Sequence, residues 1–133
     1  MKKIFIDTNI IIDVLMKREG YLSSAKVLAS AKNEDESLFV SVLTMANIAY
    51  ILRKTLKGDR FYKEMAVLSD LLSVVDVTKE HFLFALELQA KDFEDALQYY
   101  CAISNMCDVL VTRNKKDFCF SSMEVMTPEE LLA

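Results

Sequence analysis

Short apolar stretches alternate along the chain with longer stretches in which apolar residues recur every three or four positions. The short stretches, which are typical of buried strands, cover residues 2–6, 38–41, 73–77, 108–112 and a last segment around Val125. The longer stretches, which are typical of helices packed on a sheet, cover residues 9–16, 23–32, 44–56, 59–72, 79–90 and 93–106. A capped turn at 127–130 ends the pattern. This alternation predicts an α/β fold with a mainly parallel sheet covered on both faces.

Length and composition favour one domain over residues 1–133, because 53% hydrophobic content in 133 residues supports a single core. No apolar run approaches the roughly 18 residues of a membrane span, and the start of the chain does not read as a signal peptide. The three cysteines, at 101, 107 and 119, form no CxxC pair. We therefore expect reduced thiols and a cytoplasmic location.

A net charge of −4 argues against a protein that binds nucleic acid over a broad surface, because phosphate contacts need lysine and arginine. Any such contact must be local. Basic residues are grouped in two segments, one over residues 53–60 and the other comprising Arg113, Lys115 and Lys116. The alternative interpretation is that both groups are solvated faces.

Asp7 follows the first buried strand directly, and Thr112 ends the strand of residues 108–112. Ligands of open α/β sheets bind in the crevice beyond the carboxyl ends of the strands, so both residues could face one crevice. A buried carboxylate is costly unless it is paired or holds a metal. The alternative is that Asp7 only caps the next helix.

Two further acidic groups occur at similar places in the predicted fold. Asp92 and Asp95 open a helix, where the helix dipole alone would favour them, and Asn114 and Asp117 lie in a turn after a strand, where both types are common. Together with Asp7 they would give oxygen ligands suited to Mg²⁺ or Mn²⁺. His81, the only histidine, is expected to have a packing or surface role, and no serine-hydrolase motif, P-loop or GxGxxG motif is present.

Three blocks of the sequence resemble those of PIN domains. They are Phe5-Ile6-Asp7-Thr8-Asn9, Asp92-Phe93-Glu94-Asp95-Ala96 and the segment 111–118, which reads VTRNKKDF. The resemblance spans nearly the whole chain, and the order of the blocks is more specific than any one of them. It implies a three-layer α/β/α sandwich, Mg²⁺- or Mn²⁺-dependent ribonuclease chemistry and, as for many bacterial members, service as the toxin of a toxin–antitoxin pair.

The resemblance also assigns roles to individual residues. Asp7 and Asp95 match two of the family's acids, and Asp117 or Asn114 stands where the last acid falls. Thr112 would offer a hydroxyl, and Asn9 could orient Asp7 or a bound water. The chain departs from the pattern at Asn47, which stands where a glutamate is usual. An amide can coordinate through oxygen but brings no charge and cannot act as a base, so metal affinity should fall, with Asp92 compensating in part.

From these residues we expect metal-assisted hydrolysis of RNA, with Asp7, Asp95 and Asp117 holding the ion and Arg113, Lys115 and Lys116 meeting phosphates. A catalytically weak PIN-like module that binds nucleic acid or serves as a scaffold is the alternative, and Asn47 favours it. A receiver domain of the response-regulator type fits less well, because the expected lysine after a late strand is missing. The expected partners are RNA, a small antitoxin that inserts an arginine or lysine into the acidic crevice, and a second copy of the chain.

Overall fold

The computed structural model describes residues 1–133, which form five strands and seven α-helices. The strands are β1 Lys2–Ile6, β2 Glu36–Ser41, β3 Ser73–Val75, β4 Val109–Val111 and β5 Glu124–Met126. The helices are α1 Thr8–Met16, α2 Tyr21–Ala29, α3 Val42–Leu52, α4 Gly58–Leu71, α5 Lys79–Leu88, α6 Phe93–Ser104 and α7 Pro128–Leu132. Two short 3₁₀ turns are found at Ser30–Lys32 and Lys115–Phe118. None of the helices is long and apolar enough to cross a membrane.

The five strands form one sheet in the order β3-β2-β1-β4-β5, and every neighbouring pair is parallel. The predicted parallel sheet is therefore confirmed. β1 lies at the centre, with Ile6 level with Val111 of β4, which is level in turn with Met126 of β5. The chain leaves β1 toward β2 on one side and later returns to β4 on the other side. This change of direction opens a crevice between the carboxyl ends of β1 and β4.

Successive side chains of the central strands point to opposite faces of the sheet, and each face is covered by helices. Ile4 and Ile6 of β1 pack with α1, α2, α3 and α4 in the larger core cluster. Phe5, between them, belongs to a second cluster with Tyr99 and Ala102 of α6. Because both faces are buried, β1 and β4 carry apolar residues at consecutive positions. The expected three-layer α/β/α sandwich is the fold that the structure has.

The predicted first and last residues of α3 are both wrong. The helix was expected over residues 44–56 and begins instead at Val42, because the Ser41 hydroxyl caps it by accepting the N–H of Thr44 at 3.1 Å. It ends at Leu52. Residues 53–55 form a turn, and residue 56 belongs to the loop that follows it. Leu56 still packs against the core from this segment, so the helical spacing of apolar residues continues past the helix itself.

Other predicted boundaries differ by smaller amounts. The helix expected over 93–106 ends at Ser104, where the Asn105 side-chain amide donates to the carbonyl of Cys101 at 2.8 Å and Met106 adopts a φ of 54°. The segment expected as one helix over 23–32 is α2 followed by a 3₁₀ turn. The strands expected over 73–77 and 108–112 are confined to three residues each.

His81 has the structural role expected of it, as part of the cap of α5. Its Nδ1 accepts the backbone N–H of Thr78 at 3.0 Å, and the Thr78 hydroxyl accepts the N–H of His81 at 3.2 Å. The other ring nitrogen, Nε2, lies 2.9 Å from the Ser104 hydroxyl of α6. His81 therefore joins α5 to α6 on the face of the sheet away from α1. The three cysteines are all free.

Candidate active site at the carboxyl edge of the sheet

Asp7 and Thr112 meet in the crevice because they follow the parallel neighbours β1 and β4. The Thr112 hydroxyl donates to Oδ2 of Asp7 at 3.0 Å, and the Asp7 N–H donates to the carbonyl of Val111 at 3.0 Å. Asp7 stands at the N-cap position of α1, yet its side chain makes no capping hydrogen bond. Its side chain is only 5% exposed. Capping of α1 therefore does not account for the buried carboxylate.

A pocket of about 330 Å³ opens beside Asp7 and is lined from three helices, α1, α3 and α6. Five residues predicted from the sequence line it together: Asp7, Asn9, Asn47, Asp92 and Asp95. Sequence reasoning did not assign the other five lining residues, which are Thr8, Ile12, Tyr50, Ile51 and Glu94. We call this space the acidic pocket. It brings residues that are up to 88 positions apart, from Asp7 to Asp95, to one edge of the sheet.

The first turn of α6 supplies three of the carboxylates of the acidic pocket. Asp92 caps the helix by accepting the N–H of Asp95 at 3.1 Å, so one of its oxygens stabilises the start of the helix. Glu94 extends across the pocket and accepts the amide N–H of Asn47 of α3 at 3.2 Å. Asp95 is half-buried and makes no hydrogen bond through its own carboxylate in the structure.

Burial, together with the charges of neighbouring acids, shifts Asp7 and Asp95 toward the neutral form. Burial raises the pKa of Asp7 to about 6, although the hydrogen bond from Thr112 opposes the rise. Burial raises the pKa of Asp95 to about 7, and the charges of Asp7, Asp92, Asp117 and Glu94 add to this effect. None of the four ion pairs of the chain involves any of these carboxylates. The protein therefore gathers negative charge here without a cation of its own.

A buried network of hydroxyl and amide groups lies directly behind the acidic pocket. The hydroxyls of Thr8 and Thr44 are 2.7 Å apart, and the Gln98 amide donates to both, at 3.3 Å and 3.0 Å. The Ser41 hydroxyl also donates to Thr44, at 3.2 Å. These four residues fix α1, α3 and α6 relative to one another. Nothing in the local sequence indicated the network, because its members belong to segments far apart in the chain.

The loop after β4 carries the last predicted acid, Asp117. The hydroxyl of Thr112 accepts the backbone N–H of Asn114 at 3.2 Å, and the Asn114 amide donates to Oδ2 of Asp117 at 3.0 Å. Asp117 is not among the residues that line the acidic pocket, but its charge contributes to the raised pKa of Asp95. Asp117 therefore lies at the margin of the site, tied to it through Asn114 and Thr112.

The cations predicted to meet phosphates have different surroundings. Arg113 is ion-paired with Asp13 of α1 (3.5 Å) and Glu129 of α7 (3.1 Å), and it donates to the carbonyl of Gly20 at 3.2 Å. Gly20 has a φ of 81°, and any side chain there would meet the guanidinium. The pair formed by Lys115 is with Glu130 at 3.1 Å. Lys116 is exposed and makes no ion pair.

The donors at the acidic pocket suit a hard divalent cation, since they are carboxylate and amide oxygens without histidine or cysteine. No three acidic, histidine or cysteine side chains converge on one point as a ready-made ligand set. Asp92, Glu94 and Asp117 each direct an oxygen to a donor of the protein instead. The residues thus fit such an ion by chemistry and by placement in one pocket.

The fold and the site together define a parallel α/β sandwich with an acidic pocket at its central crevice. The family model described as a PIN domain matches residues 3–116. The chain therefore belongs to the PIN domain family, as the sequence blocks around Asp7, Asp95 and Asp117 indicated. It is 27% identical over 135 residues to "Ribonuclease VapC1" of Aquifex aeolicus (strain VF5), a match that covers 97% of this chain and 92% of that protein.

Solved structures of low sequence identity share the fold. The structure of VapBC-1 from nontypeable Haemophilus influenzae matches with a TM-score of 0.71 at 20% identity, covering 96% of this chain and 98% of the other. FitAcB from Neisseria gonorrhoeae matches with a TM-score of 0.70 at 16% identity, covering 95% and 98%. The match over nearly the full length of each chain confirms the α/β/α architecture.

Proposed function

We propose that this chain is a metal-dependent ribonuclease that hydrolyses the phosphodiester backbone of RNA at the acidic pocket. The observation that carries the proposal is a buried Asp7 at the central crevice, surrounded by carboxylates and paired with no cation of the protein. Asp7 and Asp95 would hold Mg²⁺ or Mn²⁺, with Asp117 and Asp92 as further ligands. The similarity to a protein named as a ribonuclease supports the same activity.

The chain's own residues prepare the pocket for this chemistry. Thr112 fixes one oxygen of Asp7, and the network behind Thr8 holds the three helices that carry the other groups. A divalent ion bound there would lower the pKa of a bound water and offset charge that develops on the phosphate. Asn9, on the rim, is placed to orient Asp7 or a water beside it. The burial of Asp7 and the half-buried position of Asp95 reduce the screening of these interactions by bulk water.

Two kinds of side chain, cations and an exposed aromatic ring, would contact RNA bound at the acidic pocket. Lys116 has no ion pair and is free to meet a phosphate, while Arg113, Asn114 and Lys115, also predicted as contacts, have partners within the protein. Tyr50 of α3 lines the pocket and is 70% exposed, with the Lys54 ammonium 5.0 Å from its ring centroid. Exposed aromatic rings stack unpaired bases, and neighbouring cations meet the backbone. We infer that single-stranded RNA is the preferred form.

Cleavage of a fluorescent single-stranded RNA tests the proposal directly. We expect the purified chain to cut with Mn²⁺ or Mg²⁺ and to stop when EDTA removes the metal. Asp7→Asn should lower the rate by about 100-fold or more, because it removes the central charge of the site. Glu34→Gln, a matched change in an exposed turn at the opposite edge of the sheet, should leave the rate unchanged. Equal cleavage by the wild type and Asp7→Asn would contradict the proposal.

A second candidate function is RNA binding without cleavage, and the environment of Asn47 favours it. Asn47 carries no charge, and its amide nitrogen is committed to Glu94. A chain of this kind would bind single-stranded RNA and yield no cleavage at any Mn²⁺ concentration. Binding and cleavage assays with the same RNA separate the two functions.

We also propose a small antitoxin as a protein partner. An apolar groove of about 280 Å³ runs between α1, α3 and α4, and its walls are Leu15, Leu52, Leu56 and Leu68, with Arg60 and Glu64 at its edge. A partner helix could fill this groove while an arginine or lysine enters the acidic pocket. Co-expression with a short neighbouring reading frame should yield a complex and relieve growth arrest. Self-association into a homodimer is a separate proposal, tested by light scattering of the chain alone.

A further inference from the structure

Glu94 lies in the first turn of α6, where an acidic residue ordinarily faces solvent and gains only from the helix dipole. Glu94 is also exposed, but its carboxylate makes a contact with another helix. The Asn47 amide of α3 donates to Oε1 of Glu94 at 3.2 Å, across 47 positions of sequence. Neither side chain makes a second side-chain hydrogen bond in the structure. The contact therefore defines the direction of the Glu94 side chain.

The orientation of the Asn47 amide is set by its partner. A carboxylate only accepts hydrogen bonds, so the nitrogen of the amide must face Glu94 and the amide oxygen must face away. An aspartate or glutamate at position 47 would repel Glu94 in this arrangement. The amide thus suits a residue that holds a carboxylate in place, and the acid itself comes from α6.

Glu94 lines the same pocket as the two principal acids of the site. Asp7 follows β1, and Asp95 is one residue further along α6 than Glu94. No lysine or arginine is ion-paired with Glu94.

The backbone positions of Asn47 and Glu94 are fixed from behind. Thr44, one turn before Asn47, is bonded to Thr8 of α1 and to Gln98, one turn after Glu94. All three of these side chains are buried. α3 and α6 are therefore held at one spacing where Asn47 and Glu94 face each other, so the contact does not depend on two mobile helix ends.

We propose that Glu94 is a metal ligand of the acidic pocket and that Asn47 is its positioning residue. In this arrangement α6 supplies the carboxylate on the side of the pocket next to α3. The inference rests on the proposed function, since it assigns a ligand to the divalent ion of that site. It also gives Asn47 a role different from the direct ligand expected from the sequence.

Calorimetric titration with Mn²⁺ tests this assignment without relying on activity. Glu94→Gln should weaken Mn²⁺ binding by about 10-fold or more, and Asn47→Ala should weaken it less, because Glu94 keeps its charge but loses its direction. Glu34→Gln is the matched control and should bind as the wild type does. The metal-free unfolding midpoints of all variants establish that each one is folded.

The exchanged double variant, Asn47→Glu with Glu94→Gln, is the most discriminating. It moves the carboxylate to α3 and the amide to α6, so the hydrogen bond and the total charge are both retained. We expect its Mn²⁺ affinity to return to within about 3-fold of the wild type. A purely structural role of the Asn47–Glu94 contact would leave the Mn²⁺ affinity of every variant unchanged.

Two failures are distinguishable in this experiment. If the wild type binds no Mn²⁺, the proposed function and the inference fall together. If the wild type binds Mn²⁺ and Glu94→Gln binds equally well, only the assignment of Glu94 is overturned. Binding that is lost in Glu94→Gln and recovered in the exchanged variant supports both.

Discussion

Asp7 and Asp13 are six positions apart and almost equally buried, with 5% and 6% of their surface exposed, yet their surroundings are opposite. Asp13 faces two cations of the chain, Arg113 at 3.5 Å and Arg18 at 3.8 Å. Asp7 faces the Thr112 hydroxyl and other acids. Burial raises the pKa of both, but the arginines oppose the rise at Asp13, whereas Glu94 adds to it at Asp7.

The difference separates a carboxylate that serves the fold from one that, in the proposed function, holds a divalent cation. Asp13 shares Arg113 with Glu129, so it joins α1 to the loop after β4 and to α7. A buried charge is tolerated when such a partner is present. Asp7 lacks a cationic partner, and the burial of its charge therefore lowers the free energy of unfolding. In the proposed function, a divalent cation from solution offsets this cost.

Removing the nearer of the two cations beside Asp13 should make the two carboxylates more alike. Arg113→Gln leaves Asp13 without its nearer cation and deletes the contacts with Glu129 and Gly20. We expect the free energy of unfolding to fall by roughly 2–3 kcal/mol, somewhat less than for a fully buried pair because Arg113 is partly exposed. Urea denaturation measures the change.

Lys116→Gln is the matched control, because Lys116 is exposed and has no ion pair. It should leave stability unchanged and weaken RNA binding. If Arg113→Gln were as stable as the wild type, Arg113 would not belong to a structural network, and its predicted role as a phosphate contact would become the better account.

The pH dependence of stability should sharpen the contrast at the acidic pocket. In the folded chain Asp7 holds its proton up to about pH 6 and Asp95 up to about pH 7, whereas both release it near 3.8 when unfolded. Between pH 4 and 7 the folded state thus binds more protons, so the stability of the metal-free protein should fall as pH rises. The part due to Asp7 is on the order of 2 kcal/mol. Asp7→Asn should flatten the profile measured by urea denaturation, and an unchanged slope would contradict the assignment.

Much of the fold and the centre of the site could be predicted from local sequence. The apolar run 2–6 and the strand before Thr112 determine where parallel strands end, and parallel strands bring their carboxyl ends together. Asp7 and Thr112 were therefore placed correctly. Boundaries were less predictable: the apolar spacing from Val42 to Leu56 covers a helix and the segment after it, since Leu56 packs on the core outside the helix.

The partners of individual side chains could not be predicted, because they lie far away in the chain. Arg113 appears in the sequence as part of a basic run, and only the fold reveals that Asp13, exactly one hundred positions earlier, and Glu129 are beside it. Glu94 similarly appears as an ordinary first-turn acid until α3 brings Asn47 to it. A sequence pattern reports the period of an element, but not the pairing of side chains between elements.

The most direct test of the central claim is the free energy of unfolding at pH 7.5, measured with and without Mn²⁺. Without metal, Asp7→Asn should be more stable than the wild type by about 1–2 kcal/mol, because an uncharged residue of the same shape no longer bears the cost of burial. Mn²⁺ at ten times its Kd should stabilise the wild type by about 1.4 kcal/mol and leave Asp7→Asn nearly unchanged. A metal-free Asp7→Asn less stable than the wild type, or a wild type indifferent to Mn²⁺, would contradict the account.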